Sequence, residues 1–116
     1  ELLLLDEPTA SLDLGAREEL LTLLSGFAQE PTTPAMIMVT HHVEEIPVGF
    51  THVLLLRDGH VVAAGPIAET LTAEALTETF GQPIVLTVDA GRYAARADHN
   101  APVAATTGDQ GFPKVR

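Results

Sequence analysis

Four consecutive leucines, Leu2 to Leu5, run into Asp6 and Glu7, and a proline follows. So short an apolar run has no period that separates strand from helix. Its length and Pro8 favour a strand covered on both faces, as in a parallel sheet. Beyond a polar turn, Asp13 is placed to cap a helix running towards Gln29. Leu20, Leu24, Phe27 and Ala28 then share one helical face, with Arg17, Glu18 and Glu19 outside it. The prolines of Glu30 to Pro34 end that helix. Ala35 to Thr40 is a second short apolar run, and it stops at His41 and His42.

Strand, helix and strand joined by so long a crossover make a βαβ unit with parallel strands. Parallel strands place Asp6, Glu7 and His41 on the same, carboxyl edge of the sheet, where open α/β sheets hold their ligands. Val43 to Phe50 reads as a short helix broken at Pro47. Thr51 to Gly65 reads as strand, Asp58-Gly59 turn and strand, a hairpin. Pro66 opens a short helical stretch, and Thr72 caps another through Phe80, ended by Gly81. Ile84 to Val88 is predicted as one further strand. Residues 97–116 have no apolar period and are predicted to be a disordered tail. The expected organisation is therefore an α/β unit over residues 1–81, a small extension over 82–96 and the tail. Internal repeats are absent.

Composition narrows the picture. With 116 residues, 46% hydrophobic and 19% charged, the chain is at most one globular domain. The net charge of −10 argues against nucleic acid and anionic membrane surfaces as partners. The sequence contains no cysteine, which excludes disulfides and thiolate metal sites. Neither a span-length apolar run nor a basic leader is present, so the expectation is a soluble, cytoplasmic protein.

A strand ending in Asp-Glu can serve phosphate chemistry. Mg²⁺ keeps several waters and takes one or two carboxylates, and a second carboxylate can orient and deprotonate an attacking water. By themselves these residues are equally those of a buried strand with an acidic turn. The longer stretches "LLLLDEPTASLD", "VTHH" and "VLLLRDGHVVAAGP" resemble the family of ATP-binding cassette (ABC) ATPases over about residues 1–81. They look like its Walker B motif, D-loop, switch histidine and following hairpin, within a P-loop NTPase fold.

The resemblance implies that Asp6 contacts Mg²⁺ through water, that Glu7 is the general base, and that His41 senses the γ-phosphate of ATP. It places Asp13 in the loop that meets a second ABC ATPase domain across a nucleotide sandwich. A transmembrane permease subunit is the other implied partner, which would hold the protein at the inner face of the membrane. Ala10 stands where this turn often has serine, leaving only a serine-specific contact in question. "HHVEE" lacks the helical spacing of a zinc-binding HExxH. His42 is expected to start a helix, and His52, His60 and His99 to lie on the surface. Glu18, Glu19, Glu44 and Glu45 are read as solvated helix faces.

No G-x-x-x-x-G-K-[ST] phosphate cradle occurs in the sequence. "LLSGF", Leu23 to Phe27, only superficially resembles the family's LSGGQ-like signature, because it follows the D-loop. The family places both missing parts before Walker B, so the resemblance implies a C-terminal part of such an ATPase, inactive alone, with its leucine strand short of neighbours. Two other readings stay open: an ABC ATPase of repair or translation, and a non-catalytic partner-binding module.

Overall fold

A computed structural model describes residues 1–100 of the chain. Strand β1 (Leu2–Asp6) and strand β2 (Ala35–Val39) pair in parallel, in a register that sets Leu2 against Ala35 and Asp6 against Val39. Helix α1 (Leu14–Ala28) forms the crossover between them. Its N-terminus is built as the sequence predicts, since the Ala16 amide donates to Asp13 Oδ1 at 2.9 Å.

The leucine strand is not covered on both faces, as its apolar run by itself predicts; the family resemblance implies instead a strand short of neighbours. Leu2 and Leu4 are 60% and 62% exposed, Leu3 is exposed too, and only Leu5 is half-buried. Among the described residues the sheet has only two strands, too few to enclose its own apolar side chains. The buried face of α1 is also turned from the predicted one. Leu21 and Leu24 are buried, whereas Leu20 is half-buried and Phe27 is exposed. The reason lies in what the helix meets. It rests on the loop around Pro47 and Val48, where Ser25 Oγ donates to the Val48 carbonyl at 2.6 Å.

After β2 the chain makes a short 3-10 turn, Val43–Glu45, rather than the longer broken helix predicted. Strands β3 (His52–Arg57) and β4 (His60–Pro66) form the antiparallel hairpin. Asp58 and Gly59 both have positive φ, 52° and 78°, as a type I′ hairpin turn requires. Two helices follow, α2 (Ile67–Thr70) and α3 (Ala73–Phe80). Thr72 Oγ1 caps α3 by accepting from the Ala75 amide at 3.1 Å, and Gly81 ends it in the left-handed conformation.

A second hairpin closes the described region, β5 (Ile84–Asp89) with β6 (Arg92–Ala97). Only its first strand is predicted from the sequence. The turn residues Ala90 and Gly91 again have positive φ, 52° and 79°. Alanine is an uncommon residue in that conformation, so "DAGR" carries a weaker turn signal than "RDGH". The expected disordered tail is corrected at its start: Ala97 pairs with Ile84, and the Asp98 amide donates to the Pro83 carbonyl. Residues 101–116 of that expectation lie outside the described residues.

The core sits away from the leucine strand. Ile67, Leu71 and Leu76 are buried together, covered by Val43, Ile46, Phe50, Val53, Leu55, Ile84, Leu86, Tyr93 and Ala95. Both hairpins, the two short helices and the 3-10 turn all contribute to it. Among the described residues no helix is long and apolar enough to cross a membrane.

Candidate functional site

The parallel register ends β1 and β2 at one level, with Asp6 opposite Val39. One further bond, from the Glu7 amide to the Val39 carbonyl at 2.8 Å, carries the ladder past the strand end. Glu7 itself adopts φ 49°, a left-handed conformation uncommon for a residue with a side chain. Such departures from easy backbone geometry gather at functional edges, where the surrounding bonds over-determine them. Two turns then bring the chain round to Asp13, closed by bonds from Ala10 to Glu7 and from Leu12 to Thr9. Thr9, within these turns, is buried, and its hydroxyl has no partner among the described residues.

His41 and Glu7 meet at this edge. His41 Nε2 lies 3.2 Å from Glu7 Oε2, with the two side chains 69% and 45% exposed. Nothing in the local sequence joins these residues; the pairing of β1 with β2 brings them together. Asp6 stands one residue before Glu7 at the same strand end, exposed to solvent. Asp13 is used differently, its carboxylate accepting from the Ala16 amide as the cap of α1. His42 precedes the 3-10 turn without a side-chain capping bond, and His52, His60 and His99 are exposed.

The segment after His41 is held by acidic residues read from the sequence as solvated. Glu45 is only 8% exposed, and its carboxylate accepts a short hydrogen bond from the Thr40 hydroxyl. Thr40 Oγ1 also accepts from the His42 amide at 3.1 Å, so His41 sits inside a closed loop of bonds. Glu44 Oε2 accepts from the Ala95 amide of β6 at 3.0 Å. Glu18 receives both terminal nitrogens of Arg92, at 2.7 and 2.9 Å. Those hydrogen bonds from Arg92 hold its carboxyl at about 2, against an ordinary glutamate value of 4.5, with Arg17 adding to the effect and partial burial opposing it.

The sequence offers little signal for these partners, because helical spacing cannot distinguish a bonded glutamate from a solvated one. A weak signal does exist at Glu45. It lies beside Ile46 and Pro47 in a stretch too apolar for an open helix face.

Among the described residues no three acidic, histidine or cysteine side chains converge in a way that could hold a metal ion. A donor set of one or two exposed carboxylates suits an ion that retains most of its water shell, the behaviour of Mg²⁺ beside phosphates. The residues present therefore fit that ion.

A parallel α/β edge carrying Asp-Glu on one strand and histidine at the end of the next is the arrangement that the resemblance to P-loop nucleoside triphosphatases implies. No protein-family model matches the chain. It is, however, 40% identical over 94 residues to an ABC transporter ATP-binding protein of Streptococcus mutans, covering 80% of this chain and 36% of that protein. An uncharacterized ABC transporter ATP-binding protein of Bacillus subtilis is 45% identical over 84 residues, 72% of this chain and 32% of its own length. A molybdenum import ATP-binding protein of Pectobacterium atrosepticum is 37% identical over 110 residues, 95% of this chain and 31% of its own.

Among solved structures, one described as a metal-chelate type ABC transporter in an inward-facing conformation superposes with a TM-score of 0.65. It shares 29% identity, over 81% of this chain and 38% of the other. The chain belongs to the ABC transporter ATP-binding family. It spans about a third of the length of the curated relatives it matches.

Proposed function

We propose that this chain supplies the hydrolytic side of the nucleotide site in the ATP-binding subunit of an ABC transporter. The observation that carries the reading is the meeting of Glu7 and His41 across the ends of two parallel strands. Glu7 accepts a proton from the water that attacks the γ-phosphorus of ATP. The bond from that phosphorus to the bridging oxygen breaks, leaving ADP and phosphate, and the proton passes from Glu7 to solvent. His41 contacts a γ-phosphate oxygen through Nε2, the atom that faces Glu7 here, and so registers whether that phosphate is present. Asp6 would hold Mg²⁺, which would neutralise charge developing on the phosphate oxygens.

Asp13 ends the loop that faces a second ABC ATPase domain. Its capping bond to α1 supports this reading, because it keeps the loop in one shape before any partner arrives. A permease subunit at the inner face of the membrane is the second partner. Relatives named for molybdenum import and hemin import favour an importer.

The test is ATP hydrolysis by the polypeptide that contains this chain together with a G-x-x-x-x-G-K-[ST] cradle. Glu7→Gln should lower the rate by roughly 10²- to 10⁴-fold, the usual weight of a general base, while leaving nucleotide binding intact. His41→Ala should also abolish most turnover. Residues 1–116 alone should release no phosphate from ATP. They contain no cradle, and a net charge of −10 repels a triphosphate. Undiminished hydrolysis in the Glu7→Gln variant would overturn the assignment.

A further inference from the structure

Arg92 is one of only six lysine and arginine residues in a chain with sixteen acidic ones. It opens β6, immediately after the Ala90–Gly91 turn, and reaches two separate elements at once. Its Nη1 and Nη2 bond the two carboxylate oxygens of Glu18 on α1, at 2.7 and 2.9 Å. The same Nη2 donates to the Glu44 carbonyl, in the turn that follows His41, at 2.7 Å. Three residues further along β6, the Ala95 amide donates to Glu44 Oε2 at 3.0 Å. The second hairpin thus grips the 3-10 turn at its main chain and at a side chain, and holds α1 with the same guanidinium.

Leu21 is buried at this joint, beside an open cleft. A cleft of about 160 Å³ opens between α1, the Pro47–Val48 loop and Arg92, lined by Leu21, Thr22 and Ser25 on the helix side. Val48 in that loop is exposed. The bidentate arginine is a direct connection between helix and hairpin, and a planar fork fixes geometry in a way that apolar contact does not.

We infer that Arg92 is a positioning residue, which through Glu18 and Glu44 ties the helix capped by Asp13 to the turn that follows His41. The second hairpin is then a brace on the nucleotide site rather than an ornament at the end of the domain. Movement of the D-loop helix would reach His41 through this guanidinium, and movement of His41 would reach the helix by the same route. The functional meaning of the brace rests on the reading of Glu7 and His41 given above. Its existence does not.

The test uses the polypeptide that contains this chain, without nucleotide, so its outcome is independent of any hydrolysis result. Amide hydrogen exchange at Glu45 and Ile46, which donate to the His42 and Val43 carbonyls, reports on the turn. The ring signals of His41 in nuclear magnetic resonance report on the site. Arg92→Ala should speed exchange at Glu45 and Ile46 by at least about tenfold, the size of effect expected for a lost charged hydrogen bond. The β3–β4 ladder should keep its protection, and the His41 signals should shift. Arg92→Lys should not restore the wild-type pattern, because a single ammonium cannot serve both carboxylate oxygens and the carbonyl. The exchanged pair Glu18→Arg with Arg92→Glu should not bring exchange at Glu45 and Ile46 back to wild type, because a carboxylate at position 92 cannot donate to the Glu44 carbonyl.

If Arg92→Ala unfolds the chain, Arg92→Lys and Glu18→Gln decide the matter, since each leaves a polar group of similar size in place. Unchanged exchange at Glu45 and Ile46 in these variants would overturn the inference. So would a loss of protection spread evenly over both hairpins, which would mark general stability rather than positioning.

Discussion

Leu4 and Leu76 are both leucines in regular secondary structure, yet the first is 62% exposed and the second 1%. Leu4 belongs to the two-stranded sheet that carries Asp6, Glu7 and, after its second strand, His41. That region is held by a parallel ladder, two turns and a capped helix, and it leaves Ile37 and Val39 exposed as well. Leu76 belongs to the region where both hairpins and two short helices close on Ile67 and Leu71. Burial of apolar surface stabilises the second region; directional hydrogen bonds shape the first. The candidate chemistry therefore sits on the less buried region, and the 3-10 turn after His41 joins it to the core. Local opening free energies follow buried contact, so the edge bearing Glu7 and His41 should exchange amides faster than β3 or α3.

Substitutions can break this contrast or sharpen it. Leu76→Ala should have the largest effect on folding, a loss of about 2–5 kcal/mol for a fully buried leucine, read as a lowered urea midpoint. Equal losses from Leu76→Ala and Leu4→Ala would dissolve the distinction between the regions. Thr72→Ala removes the cap of α3 beside the core and should lose about 1 kcal/mol in the same assay.

Smaller again is the ion pair of Glu18 with Arg92. Its side chains are 40% and 30% exposed, so solvent screening keeps the contribution below about 1 kcal/mol. Because the folded carboxyl is held down near 2, its stabilisation is complete above pH 4.5 and fades as pH falls from 4.5 towards 2. The stability gap between wild type and Glu18→Gln should therefore shrink over that interval and stay constant from pH 5 to 7. The smallest effect belongs to Leu4→Ser, expected to change stability by no more than about 0.5 kcal/mol, as exposed substitutions do. Its signature should be weaker self-association in sedimentation, since an exposed apolar patch has been interrupted.

Much of the local structure was legible before any coordinates. Asp13 and Thr72 as helix caps, Asp58-Gly59 as a hairpin turn and Gly81 as a helix stop are decided within a few residues of chain. Each depends on a side chain that satisfies a nearby amide or on a backbone that must turn left-handed. The second hairpin was half missed, because Ala90-Gly91 takes the same turn with a residue that rarely adopts it. The face of α1 was misjudged for another reason. A helical period finds a stripe, but the loop around Pro47 and Val48 chose which stripe was buried.

By itself the sequence determined the order of elements, the strand ends bearing Asp6-Glu7 and His41, and the family to which those strings belong. Only the tertiary structure decided that Glu7 and His41 touch, that Glu45 is buried against Thr40, and that Arg92 spans Glu18 and Glu44. The physical reason is range. Caps and turns are settled by neighbours along the chain, whereas a charge becomes a brace, a base or a solvated surface group according to partners that folding alone brings near.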